Sequence, residues 1–210
     1  YGSDLTVINS GTITGTNGGA GPAITFTCGD HIHALQAGSV INGYVYAGCG
    51  CGGSNTLRFG GVGFGGIGST IPPPQAFDLS SIGPFGQYIG FSTFEVTGGA
   101  WAFSGTAVQS DSWTVTNGVV LLSGDLSAAS LVTVNNNGAL LGFGGVLGNT
   151  QINGGGFFVP GFVPGARQTI LGTLGFASGA QYVIAVDPSG ASGAHATGAA
   201  TIAGGTVRAT

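Results

Sequence analysis

Trp113-Thr114-Val115-Thr116-Asn117-Gly118 decides the fold, because the pattern returns as Leu131-Val132-Thr133-Val134 with Asn137-Gly138 just beyond it. Thr114-Val115 recurs after nineteen residues and Asn117-Gly118 after twenty. Each copy is a short β-branched or aromatic run closed by a turn pair, which reads as a strand and a corner. A unit this small cannot bury an apolar side alone. Stacked copies can, because each strand pairs with the one above and below while inward residues form a continuous column. The interval fits one coil of a solenoid with three short strands per turn. Asn and Gly at the corners supply the positive φ that a sharp turn needs.

The same texture extends outward in both directions. Leu5-Thr6-Val7-Ile8, Gly11-Thr12-Ile13-Thr14-Gly15, Ala23-Ile24-Thr25-Phe26 and Gly38-Ser39-Val40-Ile41-Asn42-Gly43 lie toward the N-terminus. Thr169-Ile170-Leu171 and Tyr182-Val183-Ile184-Ala185-Val186 lie toward the C-terminus. Parallel coils are therefore expected from Leu5 to Val207, as one domain over residues 1–210. An antiparallel sandwich or barrel also has many short strands, but it needs no fixed period and ordinarily carries more surface charge. Two stretches break the pattern: Gly60 to Pro74, with Gly60–Gly68 and Ile71-Pro72-Pro73-Pro74, and Phe157-Phe158-Val159-Pro160-Gly161-Phe162-Val163-Pro164-Gly165. Proline removes a ladder donor, so both read as loops outside the coils. Exposed aromatic loops make contacts, and Phe64, Phe157, Phe158 and Phe162 are the candidate contact residues.

Composition bounds the rest. Of 210 residues 45 are Gly, 42% are hydrophobic and only 5% are charged. That balance is the reverse of a disordered chain. Gly at this frequency penalises helix by about 1 kcal/mol per interior position. With a net charge of −4 and three cations, Arg58, Arg167 and Arg208, no basic patch for nucleic acid or for an anionic membrane can be built. The apolar runs are too short for a membrane-spanning helix. With no Met, and Tyr1 in first place, a mature or clipped part of a longer protein is expected, with any export signal already gone.

A family resemblance is carried by several segments in order. Asn9-Ser10-Gly11-Thr12-Ile13-Thr14-Gly15, Leu35-Gln36-Ala37-Gly38-Ser39-Val40-Ile41-Asn42-Gly43 and Asn55-Thr56-Leu57-Arg58-Phe59-Gly60-Gly61 resemble passengers of bacterial autotransporters. So do Phe77-Asp78-Leu79-Ser80-Ser81-Ile82-Gly83, Trp101-Ala102-Phe103-Ser104-Gly105 and the tail from Leu171 to Val207. The resemblance covers almost the whole chain. It implies a right-handed parallel β-helix exported to the cell surface, joined to the membrane only through a C-terminal β-barrel absent from this sequence. Adhesion, aggregation and biofilm roles go with such stalks. One departure is the presence of Cys28, Cys49 and Cys51 in a family that has few cysteines.

Catalytic chemistry finds little support. Asp4, Asp30, Asp78, Glu95, Asp111, Asp125 and Asp187 are scattered, so a paired-carboxylate site would have to be assembled from distant coils. No Gly-x-Ser-x-Gly elbow is present in strand–turn–helix context. Cys28-Gly29-Asp30-His31-Ile32-His33 with Cys49-Gly50-Cys51 is the most chemical-looking part. Thiolates and imidazoles bind zinc, and His31, His33, Cys49 and Cys51 form the candidate ligand set, but the spacings match no established zinc pattern. A structural disulfide in an oxidising compartment is preferred. Cys28 and Cys49 lie about one coil apart, with Cys51 as substitute. No cofactor is expected. His195 reads as a solvated loop residue. Phe91, Phe94, Trp101, Phe103 and Trp113 read as core, and Tyr44 and Tyr46 share one strand face where a sugar could stack.

The function expected from these features is that of a non-catalytic, extracellular β-helix stalk of an adhesin or fibre. The alternative is a polysaccharide-binding or polysaccharide-active β-helix. Neither the start of the chain nor its finish at Ile202 to Thr210 shows a helical cap, so self-association or end-to-end stacking is expected, with surface glycans or proteins as further partners.

Overall fold

The computed structural model describes residues 4–48, 52–66 and 68–210. The protein is all-β and its sheets are parallel. Nine strands form the longest sheet, running from Leu5–Asn9 and His31–Leu35 through Thr93–Val96, Ser112–Val115 and Leu131–Val134 to Ala200–Ile202. Seven strands form a second, from Gln75–Asp78 through Ala100–Ser104, Val119–Leu122, Ala139–Gly142, Phe157–Val159 and Gln181–Ile184 to Thr206–Ala209. Asp125–Leu126, Val146–Leu147, Arg167–Ile170 and Gly193–Ala196 form a third. Toward the N-terminus the chain adds a three-stranded and a two-stranded parallel sheet. Among the described residues, the one antiparallel pairing joins Val186–Asp187 to Gly190–Ala191. Among the described residues, helical turns are confined to Thr16–Gly19 and Leu79–Ser81.

From Ser112 onward the chain visits the nine-, seven- and four-stranded sheets in unchanging rotation. The interval read from the sequence is the register: Thr114 pairs with Thr133 and Val115 with Val134. Asn117 and Asn137 stand at equivalent corners with φ of 57° and 55°. In that left-handed region Asn is tolerated far better than a β-branched residue.

Parallel in-register pairing lines up like side chains. In the nine-stranded sheet, His33, Leu57, Phe94, Trp113 and Val132 form one inward column and Phe59, Val96, Val115, Val134 and Ile152 form the next. Phe94 stacks on Trp113 with ring centroids 4.5 Å apart. Phe103 and Trp101 enter the same core from the seven-stranded sheet, and Leu126, Leu147 and Ile170 from the four-stranded one. Phe91, Phe94, Trp101, Phe103 and Trp113 are all buried; alternation along the strands accounts for Phe94, Trp101, Phe103 and Trp113, whereas Phe91 lies before the strand Thr93–Val96. The solvent side of the nine-stranded sheet mixes Thr and Ser with a few apolar side chains such as Ile8 and Leu131, and holds an Arg58–Glu95 ion pair at 2.8 Å across neighbouring strands.

The segment 157–165 does not lie outside the sheets as its prolines imply. Phe157–Val159 is a full member of the seven-stranded sheet, pairing with Ala139–Leu141. Phe158 points into the core and is completely buried. Pro160 stands immediately after the strand, where no ladder donor is required, so the loop begins at that proline and not before it.

Candidate functional site

The seven-stranded sheet is apolar on both faces. Trp101, Val120, Leu140 and Phe158 point inward in one register column. Their neighbours Ala100, Val119, Ala139 and Phe157 point outward, and so do Leu121, Leu141 and Val159. Runs such as Val119-Val120-Leu121-Leu122 and Ala139-Leu140-Leu141 are what a strand covered on both sides carries.

The cover is the segment that follows Phe59. It contains no strand between residues 60 and 74 among the described residues, in keeping with its Gly and Pro content; most of its described residues are exposed, but it is anchored to the sheet at two points. The Gly99 N–H donates to the Val62 carbonyl at 2.7 Å, and the Phe64 N–H to the Asn117 carbonyl at 2.6 Å. These bonds lay Phe64 over the outer face, where its ring meets Phe157 edge-on at 5.9 Å. Phe64 and Phe157 are therefore buried members of a second, outer apolar cluster, contrary to the expectation that both are contact residues. Of the four aromatics so assigned, only Phe162 is exposed; it pairs with Phe143 on the neighbouring turn, ring centroids 5.1 Å apart.

Phe64 and Phe157 do not fill the outer face. A hollow of about 220 Å³ remains between Phe64 and Ile71 on one side and Leu141, Val159 and Val183 on the other, walled by Phe162. A second hollow, of about 420 Å³ and more open, is bounded by Phe143, Pro160, Val163 and Arg167. Gly161 and Phe162 line both.

The Cys/His region has a different character. Cys28 is disulfide-bonded. Its expected partners, Cys49 and Cys51, lie outside the described residues. His31 and His33 face inward on the strand His31–Leu35, both buried. The His31 ring is used up in structure: its Nε2 lies 2.8 Å from the Thr27 carbonyl and its Nδ1 accepts from the Leu5 N–H at 3.2 Å. Phe26 stacks on that ring at 4.9 Å. His33 sits deeper, between Phe26 and Tyr88, and neither of its ring nitrogens has a hydrogen-bond partner. Burial lowers its pKa to about 4, against a weaker opposing influence of the Val7 backbone. Burial also raises the Tyr88 hydroxyl to about 12. A metal would have to compete with His31's two partners, and among the described residues no three His, Cys, Asp or Glu side chains converge on a common point.

The remaining candidates are dispersed. His195 is exposed, but it belongs to the strand Gly193–Ala196 and not to a loop; its outward position there gives the solvation without the loop. Tyr44 and Tyr46 flank the buried Val45 and share the outer face of their strand. The Tyr46 hydroxyl donates to the Gly48 carbonyl at 2.5 Å, which ties its ring to the chain's own loop. Asp4 and Asp30 serve as backbone acceptors, Asp4 for the Asp30 N–H and Asp30 for the Ser54 N–H. Comparison with protein-family models, curated proteins and solved structures finds no match to the chain.

Proposed function

We propose that the chain is a right-handed parallel β-helix and that it serves as a non-catalytic stalk of an extracellular structural protein of the autotransporter-passenger type, in adhesion, aggregation or biofilm cohesion. The observation that carries the reading is the fixed rotation of the chain through three parallel sheets around one shared core. Successive coils of one winding produce that order. The hand follows from the strong preference of parallel crossovers for the right-handed path. Such a scaffold grows only in length, which suits a stalk.

Other features support the surface assignment. The Cys28 disulfide fits an oxidising compartment. Very low charge, with 5% of residues charged, suits long-range packing of like surfaces. The edge strands Leu5–Asn9 and Ala200–Ile202 each pair on one side among the described residues, and further strands, of this chain or of another copy, would extend the ladder there. Cells displaying the chain on an outer-membrane barrel should settle and adhere to glass faster than cells displaying the barrel alone. Equal settling and equal adherence of the two strains would sink the functional reading. Small-angle scattering from the purified chain tests the architecture separately, because a β-helix must scatter as a rod and not as a sphere.

A further inference from the structure

We infer that the paired hollows on the outer face of the seven-stranded sheet form a binding site for a single-chain amphiphile with an anionic head, of the long-chain carboxylate class. The argument does not depend on the stalk reading, since it uses only the shape and chemistry of this face.

The roof excludes a protein partner from the inner hollow. The segment carrying Phe64 and Ile71 leaves a space of about 220 Å³, the scale of a small-molecule pocket and not of a folded partner's surface. An alkyl chain fits such a space. The walls contacted by the chain would be Phe64, Ile71, Leu141, Val159 and Val183, and Ser69 and Thr210 contribute the polar side chains of the lining. Concave apolar walls with a few polar groups are the usual make-up of a small-molecule site.

The charge pattern selects the head. No acidic side chain lines either hollow among the described residues, and the outer one contains Arg167. Arg58 is committed to Glu95 and Arg208 donates to Gln181. Arg167 makes no ion pair and donates no hydrogen bond among the described residues, and its guanidinium lies close to Gly193 and the Tyr182 hydroxyl. An unpaired guanidinium offers two parallel donors to a carboxylate. With the wall residue Phe162 half-exposed between the hollows, a chain seated in the inner one can bring its head past that ring to Arg167.

The test is isothermal titration of the intact 210-residue chain with laurate, dodecanol and dodecyltrimethylammonium, each below its micellar range. One laurate should bind per chain, more tightly than dodecanol and far more tightly than the cation. Arg167→Ala should weaken laurate about tenfold, the worth of one charge-assisted hydrogen-bond pair, and leave dodecanol unchanged. Ile71→Trp fills the inner hollow from the exposed roof, where it does not threaten the core, and should abolish binding of both. Equal binding of laurate and the cation, many laurates per chain, laurate binding indifferent to Arg167→Ala, or no saturable binding would each overturn the proposal. So would a dimer in sedimentation velocity that excludes laurate, because a second copy would then own this face.

Discussion

His33 should make the protein lose stability on mild acidification, by an amount the structure sets. Its imidazole is completely buried between Phe26 and Tyr88, with both nitrogens unpartnered. Its pKa falls from 6.5 to about 4 on folding, chiefly because burial disfavours the charged ring. The unfolded chain therefore binds a proton more readily than the native one. Stability from this residue is whole above pH 6.5, declines by about 1.4 kcal/mol per pH unit between 6.5 and 4, and is flat below that. The full loss is about 3 kcal/mol, a large share of a typical domain's stability. Tyr88 stays neutral across this window, because burial holds its hydroxyl near 12. Carboxylates titrate in the same range, so the informative quantity is a difference between proteins. Urea midpoints would be measured from pH 7.5 to 4 for the wild type and for His33→Phe, which keeps an aromatic ring in the aromatic box and removes the titration. The wild type should fall relative to the variant by about 3 kcal/mol, with most of the change between pH 6.5 and 4. A difference that stays constant over that range would refute the reasoning, and one that grows with rising pH would reverse its sign.

Phe158→Ala should cost about 3–5 kcal/mol by urea titration, since it empties a fully buried ring site beside Leu140 and Tyr182; a cost below about 1 kcal/mol would return that residue to an exposed loop. Asn137→Val should cost about 1–2 kcal/mol because Asn137 sits at φ 55°, whereas Asn137→Gly should be neutral or stabilising; equal melting of the two variants would show that the corner is not held in that conformation. Non-reducing peptide mapping should find Cys28 joined to Cys49 or Cys51, and recovery of Cys28 as a free thiol would contradict its disulfide.

The sequence by itself determined the repeating part of this protein. The Thr114-Val115 to Thr133-Val134 interval is the register of two neighbouring strands, and Asn117 and Asn137 are the left-handed corners their turn chemistry announced. These features are local: they depend on period-two alternation, β-branching and the few residues that accept positive φ. The inward placing of Phe94, Trp101 and Trp113 follows from the same alternation. Only the tertiary structure decided the outer face of the seven-stranded sheet. Val119-Val120-Leu121-Leu122 and Phe157-Phe158-Val159 have no alternation, so they do not declare which side is covered or by what. Such unbroken apolar runs were the signal that a second layer exists. The identity of that layer rests on Phe64 meeting Phe157 across a long sequence separation, held by backbone bonds from Gly99 to Val62 and from Phe64 to Asn117. No local rule encodes such a contact. The hollow beside it follows from how that one loop lies against the sheet, with Phe64 and Ile71 forming one of its walls.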